Sequence, residues 1–381
     1  MIVVVVLAGA YLAILASKRY LALRYARQHR TVSGERALPS ATIVQPILSG
    51  DPLLETTLAR NADALTGTPF VWLVDDDDAV AQAACAAIQA RAPARGITVL
   101  RCASAPPNVN PKLHKLELAR AVVATEAFVV VDDDTVVSPE GLRALLAALA
   151  SYELATGLPS YDSGPDVPSR LVAQFVNNNS ALTYLTVCSL VRPLTVNGMC
   201  YAIRCSTLAG IGGFAPLLRS LTDDLAIARA VLAAGGTIFQ SPYPHDIRTT
   251  VAGWCAYAAL MHRWFVFARL LLGSESPSVV ALVAGLYVLP PLLLWSSLAA
   301  ALAAPSLLGA AACAVLLVVR ASLLIDVQRR TLGRSRHEWL LSAVSELLQP
   351  LHAVHAMVSS TIRWRSRRYR VRSADDFFLT S

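Results

Sequence analysis

Over the first 250 residues, short apolar runs of strand length alternate with stretches of helical spacing. Residues 41–44, 70–74, 97–100 and 128–131 are the runs. Brief and rich in β-branched side chains, they predict strands buried on both faces. Between them, residues 53–65 and 79–92 repeat their apolar positions at helical intervals, and a further helix opens within 109–116. This strand–helix alternation predicts a parallel sheet with helices on both faces, an α/β domain spanning residues 40–250. Later in that domain, 142–150 reads as a helix, and 158–168 is rich in turn residues and predicts a loop. Residues 171–190 are apolar but interrupted by Asn177, Asn178 and Asn179, which favours a core helix over a membrane span. Residues 195–204 predict a strand broken at Gly198, where a ligand or another backbone comes close. Residues 221–225 head a helix, and 235–239 turn into a last strand.

The pattern changes at both ends. Residues 1–17 are apolar throughout and are followed by Lys18, Arg19, Arg24, Arg27 and Arg30. A signal peptide carries its charge before the apolar run; the reverse order predicts an uncleaved membrane anchor with the next domain in the cytosol. Residues 253–272 interleave Trp254, Tyr257, Trp264, Phe265 and Phe267 with His262, Arg263 and Arg269, which predicts an interfacial helix. Within 279–325, two long apolar runs with almost no separation predict a hairpin of two spans. Residues 338–360 are apolar but carry Glu346, Gln349, His352 and His355, so a re-entrant or interfacial segment is expected there. Residues 361–381 form an arginine-rich tail, expected on the cytosolic face of a bacterial inner membrane or its equivalent.

Composition agrees with membrane insertion. Of 381 residues 55% are hydrophobic and 15% charged, with a mean hydropathy of +0.50; an ordinary soluble domain is more polar. The net charge of +7 gathers near the chain ends, beside the apolar segments, which suits an anionic membrane surface. No nucleic-acid motif is present. Seven cysteines without a C-x-x-C pair read as reduced thiols, not as a disulfide frame or zinc site. Lysine is scarce: Lys18, Lys112 and Lys115 are the three, and two of them share one short segment.

The chemistry concentrates in acids. The run at 128–131 leads directly into Asp132, Asp133 and Asp134, and the run at 70–74 into Asp75 to Asp78. In an open α/β sheet the carboxyl ends of the strands form the ligand edge, so two strands deliver acids to one rim. Adjacent carboxylates are costly to ionise together unless a cation shares them. Mg²⁺-like ions use one or two carboxylates plus substrate phosphates. The D-x-D pair Asp132 and Asp134 is therefore the candidate metal–diphosphate site. Continued strand geometry would place both on one face, with Asp133 opposite.

The order of motifs resembles the ceramide glucosyltransferase family and its hopanoid-associated bacterial relatives, over nearly the whole chain after the anchor. Asn110, Pro111 and Lys112 look like the family's N-P-K. Asp132 falls at its second conserved aspartate, and Asp134 completes the D-x-D of GT-A enzymes. Asn197, Gly198 and Met199 are similar to T-G-M. Asp224 is similar to the third aspartate, with Asp223 at its Glu/Asp position. Arg263 and Trp264 resemble the end of Q/R-x-x-R-W, and residues 361–371 its terminal W-R-x-x-R-Y-R. The departures are Leu260 at the first place of Q/R-x-x-R-W, Gln45 for Lys before Pro46, and no counterpart of the acceptor-region histidine in 181–184.

The resemblance implies a GT-A domain with a nucleotide-diphospho-sugar sheet, an N-terminal anchor and C-terminal membrane helices. It implies an inverting glycosyltransferase that uses Mn²⁺ or Mg²⁺ and a UDP-sugar, and it points to glucose transferred to a lipid hydroxyl such as that of ceramide. Asp76, rather than Asp75 or Asp78, is the expected nucleotide contact. Lys112 is expected to assist the diphosphate as a point charge. Asp224 is the expected general base. Arg263 is expected to grip phosphate, and Trp264 to pack on sugar or lipid. His245 and His262 are expected to be structural, and Met199 a core residue. Diacylglycerol, a hopanoid or a polyprenyl phosphate are alternative acceptors, and a degenerate, non-catalytic membrane protein is the reading of a different class.

Overall fold

The structure, a computed structural model, describes residues 2–30, 37–248, 250–364, 367–371, 373 and 377–379. Along the chain come α1 (Ile2–His29), β1 (Ala41–Ile47), α2 (Leu54–Ala64), β2 (Phe70–Asp75), α3 (Ala79–Arg91) and β3 (Ile97–Cys102). There follow α4 (Pro111–Ala119), β4 (Ala127–Val131), β5 (Thr135–Val137), α5 (Pro139–Ala148), β6 (Leu154–Tyr161) and α6 (Val167–Cys188). Next are β7 (Cys200–Arg204), α7 (Cys205–Gly210), α8 (Asp223–Ala233), β8 (Ile238–Ile247), α9 (Trp254–Leu272), α10 (Pro277–Val283) and α11 (Leu289–Ala303). The chain closes with α12 (Leu307–Thr331), α13 (Trp339–Leu347), α14 (Gln349–Val358), β9 (Thr361–Trp364), β10 (Arg367–Val371) and β11 (Phe377–Leu379). These fall into two compact units. One comprises His29–Gly164, Pro193–Thr250 and Arg367–Ser381; the other comprises Met1–Gln28, Pro165–Arg192 and Val251–Ser366.

The first is the sheet unit. Among the described residues, eight strands join in the order β3-β2-β1-β4-β7-β6-β8-β5. The β3-β2-β1-β4 half is parallel, as the alternation predicts. Beyond β4 the sheet is mixed, because β7 runs antiparallel to both β4 and β6. The period of two is visible in the core. Ala127, Val129 and Val131 of β4 join Phe70, Trp72 and Val74 of β2 on the face covered by α2, α3 and α5. Phe128 and Val130 join Val71 and Leu73 on the face covered by α4 and α8. With both faces covered, the strand reads as a continuous apolar run.

The segment 158–168 is not all loop, since β6 extends through Tyr161 and is buried along its whole length. The turn residues Gly157 and Pro159 misled the pattern. They sit at and just beyond a register shift between β6 and β8, where a strand accepts them. The strand expected at 195–204 begins only at Cys200, and β5 carried too short a run to be read.

The second is the helical unit. Four helical segments among the described residues are long and apolar enough to cross a membrane: Ile2–His29, Trp254–Leu272, Pro277–Ala303 and Leu307–Thr331. The first outruns the expected 1–17 anchor because the Ala, Leu and Arg content after Lys18 keeps a helix going. Pro277–Ala303 passes through a π-turn at Ala284–Val288, between α10 and α11. Residues 338–360 are two helices, not one segment; the break precedes Pro350, which starts α14 in its first turn. The tail at 361–381 is not plain coil, because it contains β9, β10 and β11, the last two paired antiparallel. Arg365, Ser366 and Arg372 of the tail, and 31–36 of the linker, lie outside the described residues.

One glycine is a steric requirement of the sheet unit. A Cβ added at Gly157 would lie 2.4 Å from Nδ1 of the buried His245. Gly157→Ala should therefore destabilise the domain by about 1–3 kcal/mol through overpacking, read as a lower thermal midpoint.

Candidate active site

The local folding of the N-P-K segment places its lysine. Asn110 N-caps α4 by accepting from the Lys112 and Leu113 amides at 3.0 and 3.3 Å. Pro111 then opens the helix, where its missing N–H costs nothing. The other end of the Asn110 amide donates to the carbonyls of Ser220 and Leu221, at 3.1 and 3.3 Å. Asn110 therefore staples the start of α4 to the segment that enters α8.

Lys112 projects between two groups of acids. Its ammonium lies 2.7 Å from Oδ1 of Asp132 and 2.8 Å from Oδ2 of Asp223. It also donates to the Gly198 carbonyl at 2.7 Å. The ammonium is thus held among two carboxylates and one carbonyl. Burial opposes the charge, but Asp132 and Asp223 hold the Lys112 pKa well above its ordinary value. Lys112, expected to assist the diphosphate, also ties Asp132 to Asp223.

The 197–199 loop is fixed from behind. Met199 donates its amide to Asn197 Oδ1 at 3.2 Å, and His245 Nε2 meets the same oxygen at 3.1 Å. An amide oxygen only accepts, so His245 donates there. Burial pushes the His245 pKa down to about 3, keeping the ring neutral. The Asp132 amide in turn donates to the Met199 carbonyl. Gly198 is needed because a Cβ there would lie 3.1 Å from the Asp224 Cβ and 3.3 Å from Asp223 Oδ2.

β4 ends at Val131 and a turn carries the acids, closed by the Thr135 amide on the Asp132 carbonyl. Asp132 faces Lys112, while Asp133 Oδ2 accepts from the Leu48 amide at 2.7 Å. Asp134 accepts from the Thr135 hydroxyl at 3.1 Å. Burial, then Asp133 and Asp132, raise the Asp134 pKa to about 7. Asp224 sits in the first turn of α8 and accepts from the Leu225 amide at 2.8 Å. Burial and then neighbouring Asp223 raise its pKa to about 7 as well. The N-cap position belongs to Thr222, not to Asp224.

At the end of β2 the three acids separate by role. Asp75 pairs with buried Lys115 at 2.8 Å, and Asp78 caps α3 and accepts from the Ser49 amide. Asp76 is left exposed. Gln45, a departure from the family pattern, is fully buried and accepts from the Trp72 indole at 3.0 Å. The Asp223 and Lys115 contacts were missed in the sequence, although the scarcity of lysine was a signal for both. Arg263 and Trp264 belong to the helical unit, where Trp264 stacks on Phe175 with centroids 6.0 Å apart. His262 stacks on His355 at 4.0 Å in the same unit.

Among the described residues, no group of three or more His, Cys, Asp or Glu side chains forms a ready metal cage. The donor set at Asp132 and Asp134 still fits a hard divalent ion. It is all oxygen, and its crowded negative charge, seen in the raised Asp134 pKa, is what a cation relieves.

The model of glycosyl transferase family 21 matches residues 2–376. The chain belongs to glycosyl transferase family 21. It is accordingly a glycosyltransferase, and the likeness to ceramide glucosyltransferases read from its motifs is shown. Among solved structures, the mannosyltransferase PcManGT from Pyrobaculum calidifontis, in complex with GDP-Man and Mn²⁺, is 18% identical with a TM-score of 0.51. That match covers 93% of this chain and 98% of the other. It shows that this family 21 chain has the GT-A fold. Glucosyl-3-phosphoglycerate synthase from Mycobacterium tuberculosis, with phosphoglyceric acid, is 14% identical, with a TM-score of 0.38 and 65% and 80% of the two chains covered. Curated protein sequences contain no match.

Lys112→Met should lower kcat/KM for the donor about 100-fold or more, on the order of 2.7 kcal/mol. Lys112→Arg should not restore it, since a planar guanidinium cannot reproduce the three-way contact. Initial-rate kinetics check both, with thermal melts to confirm folding.

Proposed function

We propose that this family 21 enzyme moves a sugar, glucose in the first instance, from a UDP-sugar to the hydroxyl of a membrane lipid such as ceramide, with inversion at the anomeric carbon. The observation that carries the reading is the Lys112 bridge, which joins the D-x-D acid Asp132 to Asp223, the neighbour of Asp224. Leaving-group chemistry and proton removal thereby share one corner of the sheet unit.

In this reading Asp132 and Asp134 hold Mn²⁺ or Mg²⁺, which would supply charge neutralisation for the departing diphosphate. Asp76 accepts from the base or ribose of the nucleotide. Asp224 takes the proton of the lipid hydroxyl as it attacks; a base with a pKa near 7 is matched to that task. Direct displacement by that hydroxyl turns a UDP-α-sugar into a β-glycoside. Arg263 and Trp264 are assigned to phosphate and to sugar or lipid.

Four helical segments long and apolar enough to cross a membrane support a membrane setting. Trp254–Leu272 is the least apolar of the four candidates. Assigning it to the interface leaves the pair Pro277–Ala303 and Leu307–Thr331 as spans, with the sheet unit cytosolic by the positive charges after the anchor.

Membranes supplied with labelled UDP-sugars and a panel of lipid alcohols should form a glucosylceramide-type product. A product on diacylglycerol, a hopanoid or a polyprenyl phosphate would reassign the acceptor. Asp224→Asn should abolish transfer while leaving donor binding within a few-fold. In the wild type, kcat at saturating metal and donor should rise with pH through about 7 as Asp224 loses its proton. A flat profile, or near-normal turnover in Asp224→Asn, removes the base assignment.

A further inference from the structure

The helical unit contains a polar recess lined by Tyr11 and Lys18 of α1, Asn178 of α6, Arg320 of α12, and Ser345 and Glu346 of α13. Its volume is about 20 Å³, room for about one water or one ligand oxygen. The lining carries two cations and one anion, and the cations are treated very differently.

Arg320, 1% exposed, is fully served. It donates to Glu346 at 2.7 Å, to the Tyr11 hydroxyl at 3.0 Å, and to the hydroxyl and carbonyl of Ser342 at 2.9 and 3.0 Å. The Glu346 carboxylate also accepts from Tyr11, at 2.9 and 3.0 Å. Arg320 and Glu346 therefore neutralise each other.

Lys18, 4% exposed, has no such partner. Its ammonium donates to the Leu286 carbonyl at 3.0 Å and lies 4.3 Å from the centroid of the Tyr287 ring. No carboxylate stands within ion-pair distance of it among the described residues. That leaves a buried ammonium with one hydrogen bond and one ring face, and the nearby acid Glu346 is already engaged by Arg320 and Tyr11. A buried ammonium with no ion-pair partner of its own is costly, and an anionic oxygen on it reduces the cost.

We propose that this recess binds the phosphate of an anionic lipid headgroup, with one phosphate oxygen accepting from Lys18 Nζ. The surroundings favour a lipid as the source of the phosphate. α1, α11 and α12 belong to segments apolar enough to lie in a bilayer, and Leu292, Val315 and Val318 present exposed apolar surface for acyl chains. Basic recesses between membrane helices are suited to such headgroups. The proposal requires the helical unit to lie in a membrane; it requires none of the roles assigned in sugar transfer.

The test is native mass spectrometry of the full-length, delipidated protein titrated with dioleoylphosphatidylglycerol or dioleoylphosphatidylcholine. The wild type should hold one phosphatidylglycerol at least tenfold more tightly than phosphatidylcholine, and millimolar inorganic phosphate should not displace it. Lys18→Met should remove the preference and Lys18→Arg should keep most of it. Leu15→Trp crowds the recess without changing its charge and should weaken phosphatidylglycerol binding tenfold, which decides the matter if Lys18→Met fails to fold. An unchanged preference in Lys18→Met or Leu15→Trp overturns the proposal, as does equal affinity of the wild type for both lipids. Displacement by inorganic phosphate would show a free-phosphate site and would overturn the lipid assignment. Because the readout is binding without turnover, failure here leaves the glycosyl-transfer reading intact.

Discussion

The ammonium of Lys112 is the point on which the catalytic corner depends. Asp132 leaves the end of β4, Asp223 opens α8, and Gly198 lies in the loop before β7. These segments are far apart in sequence, and two of them bring negative charge. Without a shared cation, the acids would repel and the corner would open. The three side chains are half-buried, so removing the lysine leaves two acids in reduced solvent with no cation between them.

The rest of the corner is arranged to deliver that cation. Asn110 caps α4 with its oxygen and holds the approach to α8 with its nitrogen, so one side chain sets both the origin of Lys112 and the distance to Asp223. Neutral His245 and the Met199 amide orient Asn197, which presents the Gly198 carbonyl. One lysine does not neutralise Asp132, Asp134, Asp223 and Asp224 together. Burial first, and then the surplus negative charge, raise the Asp134 and Asp224 pKa values to about 7. One of these suits an incoming divalent ion, and the other suits a proton acceptor.

Much of this was legible in the chain. The parallel half of the sheet followed from apolar runs such as 128–131, and the acid clusters at strand ends marked the rim. The N-P-K and D-x-D spacings identified the family. Three things were hidden, for identifiable reasons. β6 carries Gly157 and Pro159, which local rules count as turn residues, yet a register shift against β8 accommodates them. After Val131 a turn replaces the strand, and the contact of Asp133 with the Leu48 amide in that turn has no local signal. The placement of Lys112 depends on Asp223 and Gly198, 111 and 86 residues away in sequence, and no local pattern encodes such a contact.

The tie between the two acid groups is tested most directly by a double-mutant cycle on donor kcat/KM with Lys112→Met, Asp223→Asn and the pair together. The account predicts strong coupling: the double variant should be little worse than the poorer single variant, with an interaction energy of about 1–3 kcal/mol. Effects that simply multiply would mean that Lys112 and Asp223 act independently, and the central claim would be contradicted.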